Sequence, residues 1–211
     1  KLFIENASHE LQTPLAITIN KLDLIMDDSL TPPPLLVKLA ETKKSLQRLI
    51  ALNRSLLIMS RLENRQFVQN EEVNLNTVTT ELLDSFQDIA DHKDIVIELD
   101  AQHTLEVVGN RTLLALALSN LLRNAIRYTT NQGEIKITIQ ESVWTIANTS
   151  SQGALSEKYI YNRFYKGTDS LQSNGLGLAL VKLILQFTPG GKIKYVFDHN
   201  FHIFSVKFNN S

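Results

Sequence analysis

At 211 residues, 43% of them hydrophobic, the chain is long enough for one large domain or two modest ones with real cores. Its 21 Lys and Arg balance 22 Asp and Glu, so it has no basic field for nucleic acid, and no nucleic-acid partner is expected. Cysteine is absent, which excludes disulfides and thiolate-bound zinc, and no apolar run reaches the roughly 18–20 residues that span a bilayer.

Residues 1–28 read as an amphipathic helix, with Ile4, Ser8, Leu11, Leu15, Ile19, Leu22 and Met26 three or four apart. The helix opens at Lys1 already in pattern and no signal peptide precedes it, so the chain is read as a piece of a longer protein. Pro32, Pro33 and Pro34 then forbid a helix interior and predict a stiff turn. A second helix is expected over 35–64, with Leu35, Leu39, Leu46, Leu49 and Leu56 in one stripe and Leu36, Ile50 and Leu57 in another. One hairpin would leave much of that surface wet. Pairing two hairpins into a four-helix bundle would cover it, as would packing of the second stripe on the rest of the chain.

The pattern changes near 65–73, the natural domain boundary. A helix is expected over 74–92, strands over 94–99 and 104–109, and a long helix over 110–130. Two tightly joined strands follow at 133–140 and 142–148. A polar stretch, 149–174, leads to a helix over 175–187, and a hairpin closes the chain. Helices interleaved with mainly hairpin-linked strands indicate a two-layer α/β sandwich.

Three short segments carry chemistry. In "SHELQTPL" (8–15), His9 points away from the apolar stripe, with Thr13 one turn on and Glu10 alongside. A neutral imidazole has a nucleophilic lone pair, and a carboxylate beside it can take the proton from the other nitrogen. Pro14 removes one backbone N–H and is expected to bend the helix there. The bland alternative is a polar pair on a wet helix face. In "SNLLRNAIRYT" (119–129), Asn120, Asn124 and Arg127 share one helix face opposite Leu118, Leu121, Leu122, Ala125 and Ile126. Asparagine is a modest helix former, and amide oxygens suit Mg²⁺ that also binds nucleotide phosphates, while Arg127 can meet a phosphate. Two solvated amides with an arginine are the plain alternative. In "SNGLGLALVKLI" (173–184), Gly175 and Gly177 open a helix and would let backbone N–H groups approach a phosphate, although a glycine turn before a helix is also commonplace. The spacing matches neither a P-loop nor a Rossmann turn.

In this order the segments resemble the catalytic core of a sensor histidine kinase of a two-component system. "SHELQTPL" resembles its H-box, "NLLRNAIRYT" its N-box, "RFYKG" its F-box and "GLGLALVK" its second glycine box. The resemblance covers essentially the whole chain. It implies a dimerisation and phosphotransfer hairpin over 1–66, a linker over 67–73 and an ATP-binding catalytic domain over 74–211, with the α/β sandwich shared by gyrase, Hsp90 and MutL. It implies ATP and Mg²⁺ as cofactors and a homodimer joined through the hairpin. The γ-phosphoryl would pass to His9 and then to an aspartate of a response regulator. Glu10 would be the general base, and Thr13 would position water for dephosphorylation of the regulator. Asn124 would be the main Mg²⁺ ligand with Asn120 supporting it, and Arg127 and Tyr128 would contact the nucleotide. Gly175 and Gly177, with Leu176 and Leu178, would shape the phosphate end of a lid over 149–174. Lys166, after Phe164 and Tyr165, would approach the γ-phosphate. The family usually sits at the cytoplasmic face of the bacterial inner membrane, anchored by upstream segments.

Two departures stand out. The family's first glycine box, D-x-G-x-G, accepts the adenine amino group on its aspartate. Here Asn148 holds that place, Ser150 stands for the first glycine, and Gly153 is the one glycine nearby. An Asn oxygen still accepts a hydrogen bond, and losing the charge is expected to weaken affinity by about tenfold. Gln12 also replaces a frequent arginine near His9. The eroded box raises an alternative: a pseudokinase scaffold with weak or absent nucleotide binding that docks a regulator.

Overall fold

The computed structural model describes residues 2–66, 69–166 and 174–209; of residues 2–9 it describes the helical backbone alone. The chain divides into two compact units, Lys1–Gln66 and Phe67–Ser211.

The first unit is a helical hairpin of α1 (Leu2–Met26) and α2 (Pro33–Glu63). The helix runs unbroken through Pro14, whose carbonyl accepts the Thr18 hydroxyl at 2.8 Å. The turn between the helices is tied by Leu30 N–H to Asp28 Oδ1 (2.9 Å) and by the Thr31 hydroxyl to the Ile25 carbonyl. The prolines start α2 instead of forming the whole turn: Pro32 is the N-cap, and Pro33 and Pro34 lie in the first helical turn. Their missing N–H groups have no intrahelical partner there in any case, and their fixed φ suits the helix. Lys43 bridges to Asp23 across the hairpin at 2.5 Å.

Of the predicted inner stripe, Leu15, Ile19, Leu22 and Met26 are half-buried, as are Leu36, Leu39, Leu46 and Ile50 of α2. Leu35 and Leu49, at 42% and 49% exposed, lie outside that seam together with Leu11, Ile17, Leu24 and Leu30, the apolar surface that one hairpin leaves wet. A helix of 3.6 residues per turn has a seam narrower than two full stripes, so one set of leucines must face outward.

The second unit begins with β1 (Glu71–Asn74), which corrects the expected linker over 67–73. Residues 67–68 lie outside the described residues. "EEVN" offers one buried apolar residue, Val73, and pairs antiparallel with β3 (Glu106–Gly109) as a small two-stranded sheet. Between them lie α3 (Leu75–Asp91) and β2 (Val96–Asp100). Then come α4 (Arg111–Tyr128), β4 (Glu134–Gln140), β5 (Val143–Thr149), α5 (Gly177–Phe187), β6 (Lys192–Asp198) and β7 (Phe201–Lys207). Asn74 and Asn110 cap α3 and α4, their side-chain oxygens accepting Thr77 N–H and Leu113 N–H.

The main sheet has the order β2-β4-β5-β7-β6. β2 joins β4 in parallel and every other pair is antiparallel. Alternate residues point to one face: Ile135, Ile137 and Ile139 of β4, Trp144, Ile146 and Asn148 of β5, and His202, Phe204 and Val206 of β7 are all buried. α4 packs on β5 and beside α3 and α5, which makes the helical layer of a mixed α/β two-layer sandwich. The Trp144 indole N–H donates to the Thr79 hydroxyl at 2.9 Å, which itself donates to the Leu75 carbonyl at 2.7 Å, so the centre of the sheet is fastened to α3.

Candidate active site

The site is built around α4. Its buried face carries Leu114, Leu118, Leu121, Leu122 and Ala125, which leaves Asn120, Asn124, Arg127 and Tyr128 half-buried on other faces. Asn120 spends its amide hydrogen on the Leu116 carbonyl one turn back, at 2.8 Å. Its Oδ1 is thereby turned to α5: a Cβ added to Gly177 would lie 3.2 Å from it. The second glycine segment therefore meets the asparagine helix, and glycine at 177 allows that approach. Gly177 is the first residue of α5, with buried Leu176 at the N-cap and no side chain capping the helix. The first N–H groups of α5 open beside Asn120 with no intrahelical acceptor, at the positive end of the helix dipole. Leu178, in that first turn, is half-buried.

Gly175 serves another purpose. Its φ is +64°, and a Cβ there would sit 2.6 Å from the Phe164 carbonyl carbon. The Phe164 N–H donates to the Gly175 carbonyl at 2.8 Å. Phe164 itself has a φ of 64°, a left-handed conformation that is uncommon for a bulky residue. Phe164 of "RFYKG" is thus locked onto the start of the glycine turn. Lys166, two residues on, is exposed, and residues 167–173 lie outside the described residues.

Positive charge gathers at the end of α4. The Lys93 ammonium donates to the Ile126 and Arg127 carbonyls at 2.7 and 3.2 Å, capping the helix C-terminus. Burial, and then Arg127, hold the Lys93 amine below its usual range. The Arg123 guanidinium lies over the Phe86 ring at 5.6 Å, and desolvation followed by Arg127 lowers it too. Sequence reasoning missed Lys93. Its signal was a lysine just after a helix, too ordinary to single out.

Asn148 ends the buried row of β5 and is 4% exposed. Its Nδ2 donates to the Thr149 carbonyl at 3.2 Å, and among the described residues its oxygen is an unspent acceptor on the helical side of the sheet. Ser150 is also buried, and its Oγ accepts the Gln152 N–H at 3.0 Å. A Cβ at Gly153 would meet nothing within 4 Å, so no close approach demands glycine there. The stretch expected as an open lid over 149–174 is partly packed: Ile160 is 3% exposed and Leu155 N–H donates to the Tyr195 hydroxyl. The apolar "YIY" triplet explains this, since its central residue can reach the core.

Glu10 and Thr13 are exposed on α1, whereas the His9 side chain lies outside the described residues. These three belong to the first unit and the others to the second. A separate open cavity of about 350 Å³ at the β4–β5 turn, lined by Asp100, Gln102, His103 and Glu141 among others, holds none of the expected site residues.

Two family models match the chain. Residues 1–65 match the His Kinase A (phospho-acceptor) domain, and residues 109–208 match the histidine kinase-, DNA gyrase B-, and HSP90-like ATPase. The chain belongs to the sensor histidine kinase family. It is 32% identical over 194 residues to the heme sensor protein HssS of Staphylococcus saprophyticus, and 33% identical over 197 residues to that of Staphylococcus aureus strain Newman. In each case 89% of this chain is covered, and it spans 42% of the relative's length. Among solved structures, the histidine kinase AdeS of Acinetobacter baumannii is similar at 29% identity and a TM-score of 0.63, over 96% of this chain and 98% of that one. The catalytic domain of the histidine kinase ThkA is 27% identical with a TM-score of 0.58, over 67% of this chain and 95% of that one. Among the described residues no helix is long and apolar enough to cross a membrane.

Proposed function

We propose that this protein is an ATP-dependent protein-histidine kinase that phosphorylates its own His9 and passes the phosphoryl group to an aspartate of a response regulator. The observation that carries the reading is the meeting of Asn120 Oδ1 with the uncapped start of α5 at Gly177. It joins an amide oxygen, free helix N–H groups and, further along α4, the cation Arg127. That donor set suits a triphosphate and its magnesium ion.

The amide oxygens of Asn124 and Asn120 fit Mg²⁺, which when bound neutralises phosphate charge. The Asn148 oxygen accepts the adenine amino group, and Tyr128 lines the base or ribose. Arg127 and Lys166 meet the phosphate oxygens, Lys166 being carried there by the segment locked to Gly175. Leu176 and Leu178 flank the glycine whose N–H faces the phosphates. A neutral His9 nitrogen attacks the γ-phosphorus, the bond to the leaving ADP oxygen breaks, and Glu10 takes the proton from the other ring nitrogen. A receiver aspartate then attacks the same phosphorus and the P–N bond breaks. In the reverse regime Thr13 orients water for dephosphorylation of the regulator.

Residues 1–66 form the dimerisation and phosphotransfer domain in this reading, and the catalytic domain starts no later than β1 at Glu71. Exposed Leu11, Ile17, Leu24, Leu35 and Leu49 supply the apolar surface that a second hairpin covers. The protein acts at the cytoplasmic face of a bacterial membrane. Neither the family models nor the relatives favour the scaffold-only alternative. Calorimetry with ADP–Mg²⁺ tests the site. Asn124→Ala and Asn124→Asp are expected to weaken binding by about tenfold or more without loss of fold. Unchanged affinity in both contradicts the metal assignment.

A further inference from the structure

Several buried groups that the proposed reaction does not use meet beneath the segment after β5. His202 of β7 is 4% exposed, and its Nδ1 lies 2.7 Å from the Tyr195 hydroxyl of β6. That hydroxyl already accepts the Leu155 N–H at 2.9 Å, so its own hydrogen is free for the ring. His202 Nδ1 is then the acceptor, and the ring hydrogen sits on Nε2. The ring also bonds to the Gln152 backbone, in a contact that favours a proton on the imidazole and is therefore made by the carbonyl. One imidazole and one phenol thus tie Gln152 and Leu155 to the β6–β7 hairpin.

The place of this network gives it meaning. His202 is the register partner of Asn148 on β5, and both side chains are buried on the same side of the sheet. Asn148, Ser150 and Gln152 stand where the first glycine box has its aspartate and two glycines. With no glycine turn to set the backbone there, something else must hold it. We propose that His202 in its neutral form, together with Tyr195, is a positioning residue for the nucleotide, fixing Asn148 and the Ser150–Leu155 segment in the shape that receives the base.

This rests on the nucleotide-binding reading above. Among the described residues, the groups recorded against the imidazole are uncharged: the Tyr195 and Phe197 rings of β6, with centroids 5.9 and 4.9 Å away, Asn148 across β5, and the Gln152 backbone of the loop. The Glu157 carboxylate acts on the Tyr195 and Tyr161 phenols rather than on the ring. A proton on Nδ1 would leave Nδ1 no acceptor for the Tyr195 hydrogen and bury a cation. Burial accordingly holds His202 below its usual value. The ordered segment is therefore stabilised by this ring above about pH 6.5, and that contribution is lost as pH falls through the lower folded value.

The test titrates the whole chain with ADP–Mg²⁺ between about pH 5.5 and 8, comparing wild type, His202→Gln, His202→Phe and Tyr195→Phe, and follows hydrogen exchange at the Leu155 amide. Glutamine can accept from Tyr195 and donate to Gln152 but cannot take up a proton. His202→Gln is expected to keep wild-type affinity at neutral pH and to lose the extra fall in affinity at acid pH. Tyr195→Phe and His202→Phe are expected to bind about tenfold more weakly at neutral pH, with faster Leu155 exchange. If His202→Phe does not fold, Tyr195→Phe carries the same comparison. ADP binding with the same affinity and pH profile in wild type, His202→Gln and Tyr195→Phe overturns this proposal and leaves the kinase reading standing. A wild type that binds no ADP overturns both.

Discussion

Replacing Gly177 with alanine adds one methyl group where the asparagine helix meets the glycine turn. That carbon would lie 3.2 Å from Asn120 Oδ1 and 3.9 Å from its Cγ, and would approach nothing else described within 4 Å. The contact is a few tenths of an ångström too close, so the Asn120 amide must swing away. Its hydrogen bond to the Leu116 carbonyl, at 2.8 Å, is then lost or lengthened, which costs about 1 kcal/mol. Gly177 has no positive φ, and alanine in a helix is favoured over glycine by roughly 0.5–1 kcal/mol. The two effects offset, so the melting temperature is expected to move by no more than about 2–4 °C. Affinity does not enjoy that compensation. Turning Oδ1 away removes an acceptor from charged partners, worth about 1.5 kcal/mol or more, and ADP–Mg²⁺ binding is expected to weaken at least roughly tenfold. Calorimetry and a thermal melt of Gly177→Ala measure both. Wild-type affinity in Gly177→Ala would show that the Asn120–Gly177 approach is not where nucleotide binds.

Two further outcomes probe the sandwich itself. Trp144→Phe removes the indole that donates to Thr79 and leaves a cavity in a fully buried position, so stability is expected to fall by about 2–3 kcal/mol in denaturant titration; a change below about 0.5 kcal/mol would contradict the fastening of β5 to α3. Among the described residues the buried Tyr161 hydroxyl has no partner, and burial foremost, then Glu157, push its pKa up to about 12. Since the folded value lies above the ordinary one near 10, this phenol's contribution to stability is present below about pH 10 and is lost as pH rises toward about 12. Alkaline unfolding curves of wild type and Tyr161→Phe should therefore diverge in that window. Superposable curves would contradict the assignment.

The helices and their motifs were legible because the chemistry is local. Asn120, Asn124 and Arg127 lie within two helical turns, so spacing alone puts them on neighbouring faces, and alternation in "EIKITIQ" and "VWTIANT" marks β4 and β5. Pairing was less legible. β2 joins β4 in parallel across α4, and β3 leaves for a sheet of its own with β1, a strand of two glutamates, one valine and an asparagine that carries no alternating signal. The proline turn was read as an obstacle to α2, whereas Pro33 and Pro34 occupy the one part of a helix where an N–H is dispensable. The Tyr195–His202 network stayed hidden for a further reason. In "KIKYVFD" and "FHIFSVK" the two residues look like ordinary inward positions of a hairpin, and what they hold lies some forty residues upstream at Leu155.

The most direct test of the central claim is the fate of the γ-phosphate. Incubation of the whole chain with labelled ATP and Mg²⁺ should place an acid-labile, base-stable phosphate on the wild type, and none on His9→Gln. Full labelling of His9→Gln, or a wild type that takes up no phosphate while binding nucleotide, would contradict it.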